Sequence, residues 1–253
     1  MRDPDSELRL AEVLVETADT LADDFDTERY LRWLSDRSVE LLGAQGVGVM
    51  YTGGAGTVRL IPSSRQQERV RDLLAVQHLG GPCLESFGSR RPVPPVRIGS
   101  GRVRARWPAF TGQAVKYGVA ETYAAPMHRR GAMLGVLNVF VPGTRRPATS
   151  EREFRAALAL ARAAAVGLAN RHAFCECRTL SEQLQTALDS RIRIEQAKGI
   201  LAERWKSGVD EAFEALRSYA RREQQSLDLV AAAVIKGSVG SETLLEGIPR
   251  PAR

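Results

Sequence analysis

With 253 residues, 43% of them apolar and 26% charged, the chain has the make-up of a soluble globular protein of one large domain or two ordinary ones. Its net charge of +6 permits a polyanionic partner without demanding one. Three cysteines (Cys83, Cys175 and Cys177) exclude a disulfide framework, the acidic start MRDPDSELRL is no signal peptide, and no apolar run reaches membrane-spanning length, so the expected setting is a reducing cytoplasm and no membrane.

Two helices open the chain. SELRLAEVLVETADTLAD repeats apolar residues at Leu10, Val13, Leu14, Thr17 and Leu21, and is taken as an N-terminal helix within 1–24. TERYLRWLSDRSVELLG follows, with Thr27 as expected N-cap and Gly43 as stop. GVGVMY and TVRLIP flank the turn signal Gly53-Gly54 and predict a β-hairpin. RQQERVRDLLAVQHL predicts a helix, and GGPCLESFGSRRPV a loop or short helix opened by proline. The prolines of PVPPVRI bar it from a central strand. RWPAFTGQAVKYG predicts a helix with Pro108 near its first position and Gly118 at its close. VAETYAAPM and MLGVLNVFV then predict two strands around Arg129-Arg130-Gly131. The expected fold for 25–172 is thus α+β, a mostly antiparallel sheet flanked by helices.

Ser150-x-x-Glu153 is a capping box, and from it one long helix is expected to reach Trp205. Within its 173–190 stretch the apolar residues thin to one stripe: Leu180, Leu184, Ala187 and Leu188. Such a stripe suits a coiled-coil seam or a solvated linker helix, and its spacing favours the seam. VDEAFEALRSYARRE predicts the next helix, with Asp210 and Glu211 favourable in its first turn. SLDLVAAAVIKG predicts the last, with Ser226 as N-cap and Gly237 as stop. The tail 238–253, with two prolines, is expected to be disordered.

These last helices, 191–237, predict a small all-α domain. Ile194, Ala197, Leu201 and Trp205 share one face and should bury against Ala212, Phe213, Leu216 and Ala220 and against Leu227, Val230, Ala231 and Val234. A core so rich in alanine requires close helix packing. Gly199 sits in a helix interior, where glycine costs about 1 kcal/mol relative to alanine. Either a neighbouring helix approaches its backbone or something else does. Arg191, Glu195 and Lys198 form a second face. Arg217 and Arg221 lie four apart, a repulsive spacing, with Arg222 beside them and only Glu214 placed to relieve Arg217. This row faces either phosphate or solvent.

RIRIEQAKGILAERW…VDEAFEALRSYARRE…LDLVAAAVI resembles the ANTAR domain, an RNA-binding module of bacterial antiterminators. The likeness is carried by Arg191, Ile194, Glu195-Gln196-Ala197-Lys198-Gly199, Leu201, Asp210-Glu211-Ala212-Phe213, Leu216-Arg217 and Ala220. One departure is visible: Trp205-Lys206-Ser207-Gly208 stands where the family usually has glycine soon after the first helix. The resemblance implies binding of paired RNA stem-loops in leader transcripts, prevention of a terminator hairpin, and a homodimer held by a coiled coil. It also implies an RNA surface of Arg191, Ala197, Lys198, Gly199 and Arg217, to which charge adds Arg193, Arg221 and Arg222. A helical protein-interaction module with a solvated basic row is the alternative. A DNA-reading helix is disfavoured, because Asp210-Glu211 at its start would repel phosphate.

The preceding segment, through LLAVQHLGGPCLESFGSRRPV, RWPAFTGQAV and APMHRRGAMLGVLNVFV, resembles a GAF domain. That implies a sensory input, with a cyclic nucleotide, haem, another small molecule or only a protein as the bound partner; the sequence does not say which, and the cofactor is unknown. Cys83, Trp107, Phe110 and Tyr123 are the candidates for a sensor pocket. Cys83 beside His78 lacks an acid partner, so catalysis is not expected, and His128 and His172 lack a second ligand at metal-site spacing. The chain has no pattern for a phosphoacceptor receiver domain, so its signal is expected through the GAF fold.

Overall fold

The computed structural model describes residues 4–22, 24–53, 57–129, 131–143, 151–240 and 244, and they divide into two compact units, 1–174 and 175–253. The N-terminal unit is built on a five-stranded antiparallel sheet: β1 (Gly46–Thr52), β2 (Val58–Pro62), β3 (Val93–Arg97), β4 (Val119–Arg129) and β5 (Ala132–Pro142), in the order β2-β1-β5-β4-β3. Proline-bearing β3 is an edge strand, where a missing backbone donor costs no inner ladder bond. Both expected hairpins form, with Thr52 opposite Val58 and Arg129 opposite Ala132; Gly54 and Arg130 of the two turn signals lie outside the described residues.

Alternation along the strands sends side chains to two cores. Val47, Val49, Leu137 and Val139 join α1 (Pro4–Ala18), α2 (Thr27–Leu42) and the first part of α7 (Glu151–Trp205) on one face. Val136 and Phe140 join α3 (Gln67–Ala75), α4 (Pro82–Ser89), α5 (Gly101–Arg106) and α6 (Pro108–Lys116) on the other. Glycine is required at close approaches: a Cβ on Gly48 would press into Leu74, and one on Gly135 into the carbonyl oxygen of Met50.

Several details differ from the expectation. Asp26, not Thr27, caps α2, its carboxylate accepting from the Arg29 amide at 2.6 Å; both types suit the site and spacing alone favours neither. Helix α1 stops at Ala18, so Leu21 is exposed. The reason is tertiary: the Thr17 carbonyl accepts from the Tyr30 hydroxyl at 2.7 Å, and the Thr20 hydroxyl donates to Gly167 O at 2.8 Å. Helix α5, capped by Ser100, was not expected, being only six residues long. Ser150 of the capping box lies outside the described residues.

Helix α7 runs unbroken from Glu151 to Trp205. Ala157, Leu160, Ala161, Ala164, Ala165 and Leu168 bury in the N-terminal unit, and Ala197 and Leu201 in the C-terminal one. The C-terminal unit adds α8 (Val209–Arg222) and α9 (Leu227–Lys236), the latter capped by Ser226 and ended by Gly237 at φ +72°. Lys206 takes the left-handed conformation after α7 (φ +53°), the place that glycine fills at lower cost. Val239 and Leu244 pack on this core, and residues 241–243 and 245–253 of the expected tail lie outside the described residues. Among the described residues no helix is long and apolar enough to cross a membrane.

The Gly135 approach gives a direct test of the sheet. Gly135→Ala should destabilise the N-terminal unit by about 3 kcal/mol, at the upper end for overpacking because the obstruction is backbone; urea unfolding followed by circular dichroism measures it.

Candidate nucleic-acid interface

The C-terminal core is small: Ala197, Leu201, Ala212, Ala215, Leu216, Ala220, Val230, Ala231 and Val234 are buried, with Ile194, Trp205 and Leu227 half-buried around them. Alanine at the contacts lets α7, α8 and α9 come close. This places Ala197 inside the core, fully buried, and removes it from any contact surface. Its place on the face of Ile194, Leu201 and Trp205 predicted that burial, and only the family resemblance carried it onto the RNA surface.

Lys198 is held from two sides. Its ammonium lies 3.0 Å from both carboxylate oxygens of Glu195 and 5.1 Å from the centre of the Phe213 ring, and its side chain is only 14% exposed. The cation therefore caps the α7–α8 contact and offers one edge outward. Phe213, Arg217 and Arg221 recur every fourth residue and share a side of α8, as Arg191, Glu195 and Lys198 share a side of α7. The two basic rows thus meet at the Lys198–Phe213 contact. Arg217 pairs loosely with Glu214 at 3.6 Å, the relief expected, while Arg191 and Arg221 are exposed.

The other two arginines have different work. Arg193 points to α9 and grips Asp228 with two bonds of 2.7 and 2.9 Å. Arg222 lies 5.0 Å over the Tyr219 ring and pairs with Glu223 at 3.0 Å. Both retain some exposure, but their charges are engaged within the unit. The Arg193–Asp228 clamp joins residues 35 apart, and only the packed helices bring them together.

Gly199 is exposed, and a Cβ built on it would meet nothing within 4 Å. Its absent side chain is therefore not explained by a neighbouring helix of this chain, one of the two alternatives open from the sequence. The residue costs helix stability and gives access to backbone next to Lys198.

The expected sensor residues divide between the two sheet faces. Cys83, Trp107 and Phe110 are buried together under α3–α6, where Trp107 meets Phe110 edge-on at 6.2 Å. Tyr123 is buried on the opposite face against Phe154 at 5.7 Å. The four do not line one pocket, because odd and even positions of β4 face opposite ways. Burial pushes the Cys83 thiol up to about 12, which keeps it protonated and a poor nucleophile.

Residues 182–235 match the family model of the ANTAR domain. They are an ANTAR domain. The match takes in α8, most of α9, and the part of α7 that carries Lys198 and Gly199. No curated protein matches the chain. Solved structures similar to it include the GAF domain of an Acinetobacter phosphoenolpyruvate-protein phosphotransferase, 13% identical over 68% of this chain and 97% of that one, with a TM-score of 0.49. The cyanobacteriochrome TePixJ GAF domain is 18% identical over 61% and 99% (TM-score 0.43), and the N-acylhomoserine lactone-dependent LuxR family factor CepR2 of Burkholderia cenocepacia 15% over 68% and 99% (TM-score 0.49).

The clamp that fastens α9 in the ANTAR domain predicts a pH dependence. The Arg193 guanidinium, with help from the Ser190 hydroxyl, holds the Asp228 carboxyl below its ordinary 3.8. A depressed folded-state value stabilises above the ordinary one and is lost as pH falls through the depressed one. Asp228→Asn should therefore lower the stability of this domain at neutral pH and flatten the acid limb below about pH 4, read by thermal unfolding across pH.

Proposed function

We propose that this chain is a signal-responsive, non-enzymatic RNA-binding regulator. Its ANTAR domain binds paired stem-loops in nascent leader RNA and so prevents termination, and the N-terminal unit, read as a GAF domain, supplies the input. The observation that carries the reading is the open space at Gly199, a costly helix-interior glycine with no packing role in the chain, beside the meeting point of two basic rows. Guanidinium groups at Arg191, Arg217 and Arg221 hold phosphate, and bare backbone at Gly199 admits a looped-out base. Lys198 contributes an edge of charge while keeping α8 in place; Arg193 and Arg222 support the surface from their own pairs.

A homodimer is part of the same proposal. Every position of α7 from 172 to 188 is exposed in the single chain, and Leu180, Leu184 and Leu188 are 56%, 62% and 53% exposed along one stripe, with Ala187 beside them. An isolated helical stretch gains little stability by itself, and a second copy that covers the stripe supplies the burial it lacks.

RNA binding is tested by titrating the full chain with a two-stem-loop leader RNA at several salt concentrations. Arg221→Ala should weaken binding severalfold and reduce the salt slope by about one. Gly199→Ala should raise the stability of the domain by about 1 kcal/mol and still lose about tenfold in affinity. Unchanged affinity in both variants, or equal binding to duplex DNA, overturns the surface and leaves the protein-interaction reading. Sedimentation of Leu184→Asp tests the seam: the expected result is a monomer, and a persistent dimer places the interface elsewhere.

A further inference from the structure

A cleft of about 380 Å³ opens in the N-terminal unit where the end of α1, the segment 19–26 and the start of α2 meet. It lies on the α1–α2 side of the sheet, away from Cys83 and Trp107. One wall is a ladder of aromatic rings: Phe25 and Tyr30 are 5.2 Å apart between centroids, and Tyr30 stacks on Trp33 at 6.1 Å. Its lining sets four carboxylates, Glu16, Asp19, Asp24 and Asp26, against the guanidinium of Arg29, and that of Arg171 lies beside the Phe25 end. Asp26 is already spent on the α2 cap. Among the described residues no ion pair neutralises Glu16, Asp19 or Asp24.

This grouping is unusual in a chain with a net charge of +6. Neighbouring carboxylates repel one another, and the ring faces beside them carry the negative end of a quadrupole. Both features favour the same kind of guest, a cation with an apolar body. The protein already seats one cation on this wall. Arg171 of α7 lies 5.4 Å over the Phe25 ring and 5.8 Å over Phe174, and its Nη1 donates to the Ala22 carbonyl at 2.9 Å. Trp33, at the other end of the ladder, is partly exposed to the cleft.

The walls are also fixed before any guest arrives. Tyr30 is tied to Thr17 and Thr20 to Gly167, and Gly167 has no room for a Cβ against the Thr17 carbonyl and the Thr20 methyl. A preformed cleft spends little binding energy on ordering itself.

We propose that this cleft binds a small organic cation, an amine or guanidinium compound, its body against the Phe25–Tyr30–Trp33 ladder and its charge held by Glu16, Asp19 and Asp24. The assignment gives the N-terminal unit a ligand class and stands independently of the RNA surface.

The test is calorimetric titration of the full chain with butylguanidinium and with spermidine, using butylurea as the neutral isostere. Saturable binding of a cation, weaker at high salt, with no binding of butylurea, is expected. Asp19→Asn with Asp24→Asn, both exposed and free of packing duties, should weaken it about tenfold or more. Trp33→Leu keeps every charge and should weaken it severalfold through loss of the ring. Absence of binding by either cation, or equal affinities in the wild type and the carboxamide double variant, overturns the proposal. Equal binding of butylurea overturns it as well.

Discussion

One helix has to satisfy two cores. The backbone hydrogen-bond ladder of α7 is unbroken from Glu151 to Trp205, yet its side chains meet three different surroundings. From Ala157 to Leu168 small and branched residues pack into the core of the sheet and α2, with Gly167 admitting the Thr17 carbonyl and the Thr20 methyl. From 172 to 188 every position is exposed. At Ala197 and Leu201 it becomes the floor of an alanine-rich domain in which α8 and α9 can pack closely. A helix held at both ends by burial does not need strong local propensity between them, and that middle stretch is where a second chain gains most by docking.

The electrostatics of the C-terminal unit follow from the same economy of space. A core this small leaves little apolar area to fasten α8 and α9, so charged groups take part in the fastening. Lys198 closes the α7–α8 contact over Phe213, and Arg193 closes the α7–α9 contact through Asp228. Of the cations expected on the RNA surface, Arg191, Arg217 and Arg221 remain outward, around an exposed glycine. The N-terminal unit shows the opposite sign, with carboxylates collected beside an aromatic ladder at the α1–α2 corner. A modest overall charge thus conceals two local fields of opposite sense.

Much of the fold was legible in the sequence because its signals were local. Proline in PVPPVRI allowed only an edge strand, Gly43, Gly118 and Gly237 marked element ends, and Ser226 marked a helix start. The boundaries that escaped were set by distant partners. Helix α1 ends where Tyr30 claims the Thr17 carbonyl and Gly167 the Thr20 hydroxyl, and neither partner is a neighbour in sequence. Spacing grouped Cys83, Trp107, Phe110 and Tyr123 by type, but the pleat of β4 sends Tyr123 to the opposite core. The acidic-aromatic cleft gave no sequence signal beyond a run of aspartates, since Trp33 joins Phe25 only through the turn of α2.

By itself, then, the sequence determined the order of elements, the α+β and all-α halves, the helical stripe at Leu180–Leu188 and the ANTAR signature. Periodicity, caps and breakers act over a few residues and can be read without coordinates. Only the tertiary structure decided which signature residues face outward. The helical face already buried Ala197, but Lys198 and Arg193 are engaged because of where Phe213 and Asp228 arrive after the chain has turned twice, and Gly199 is open because no neighbour packs within 4 Å of its place for a Cβ.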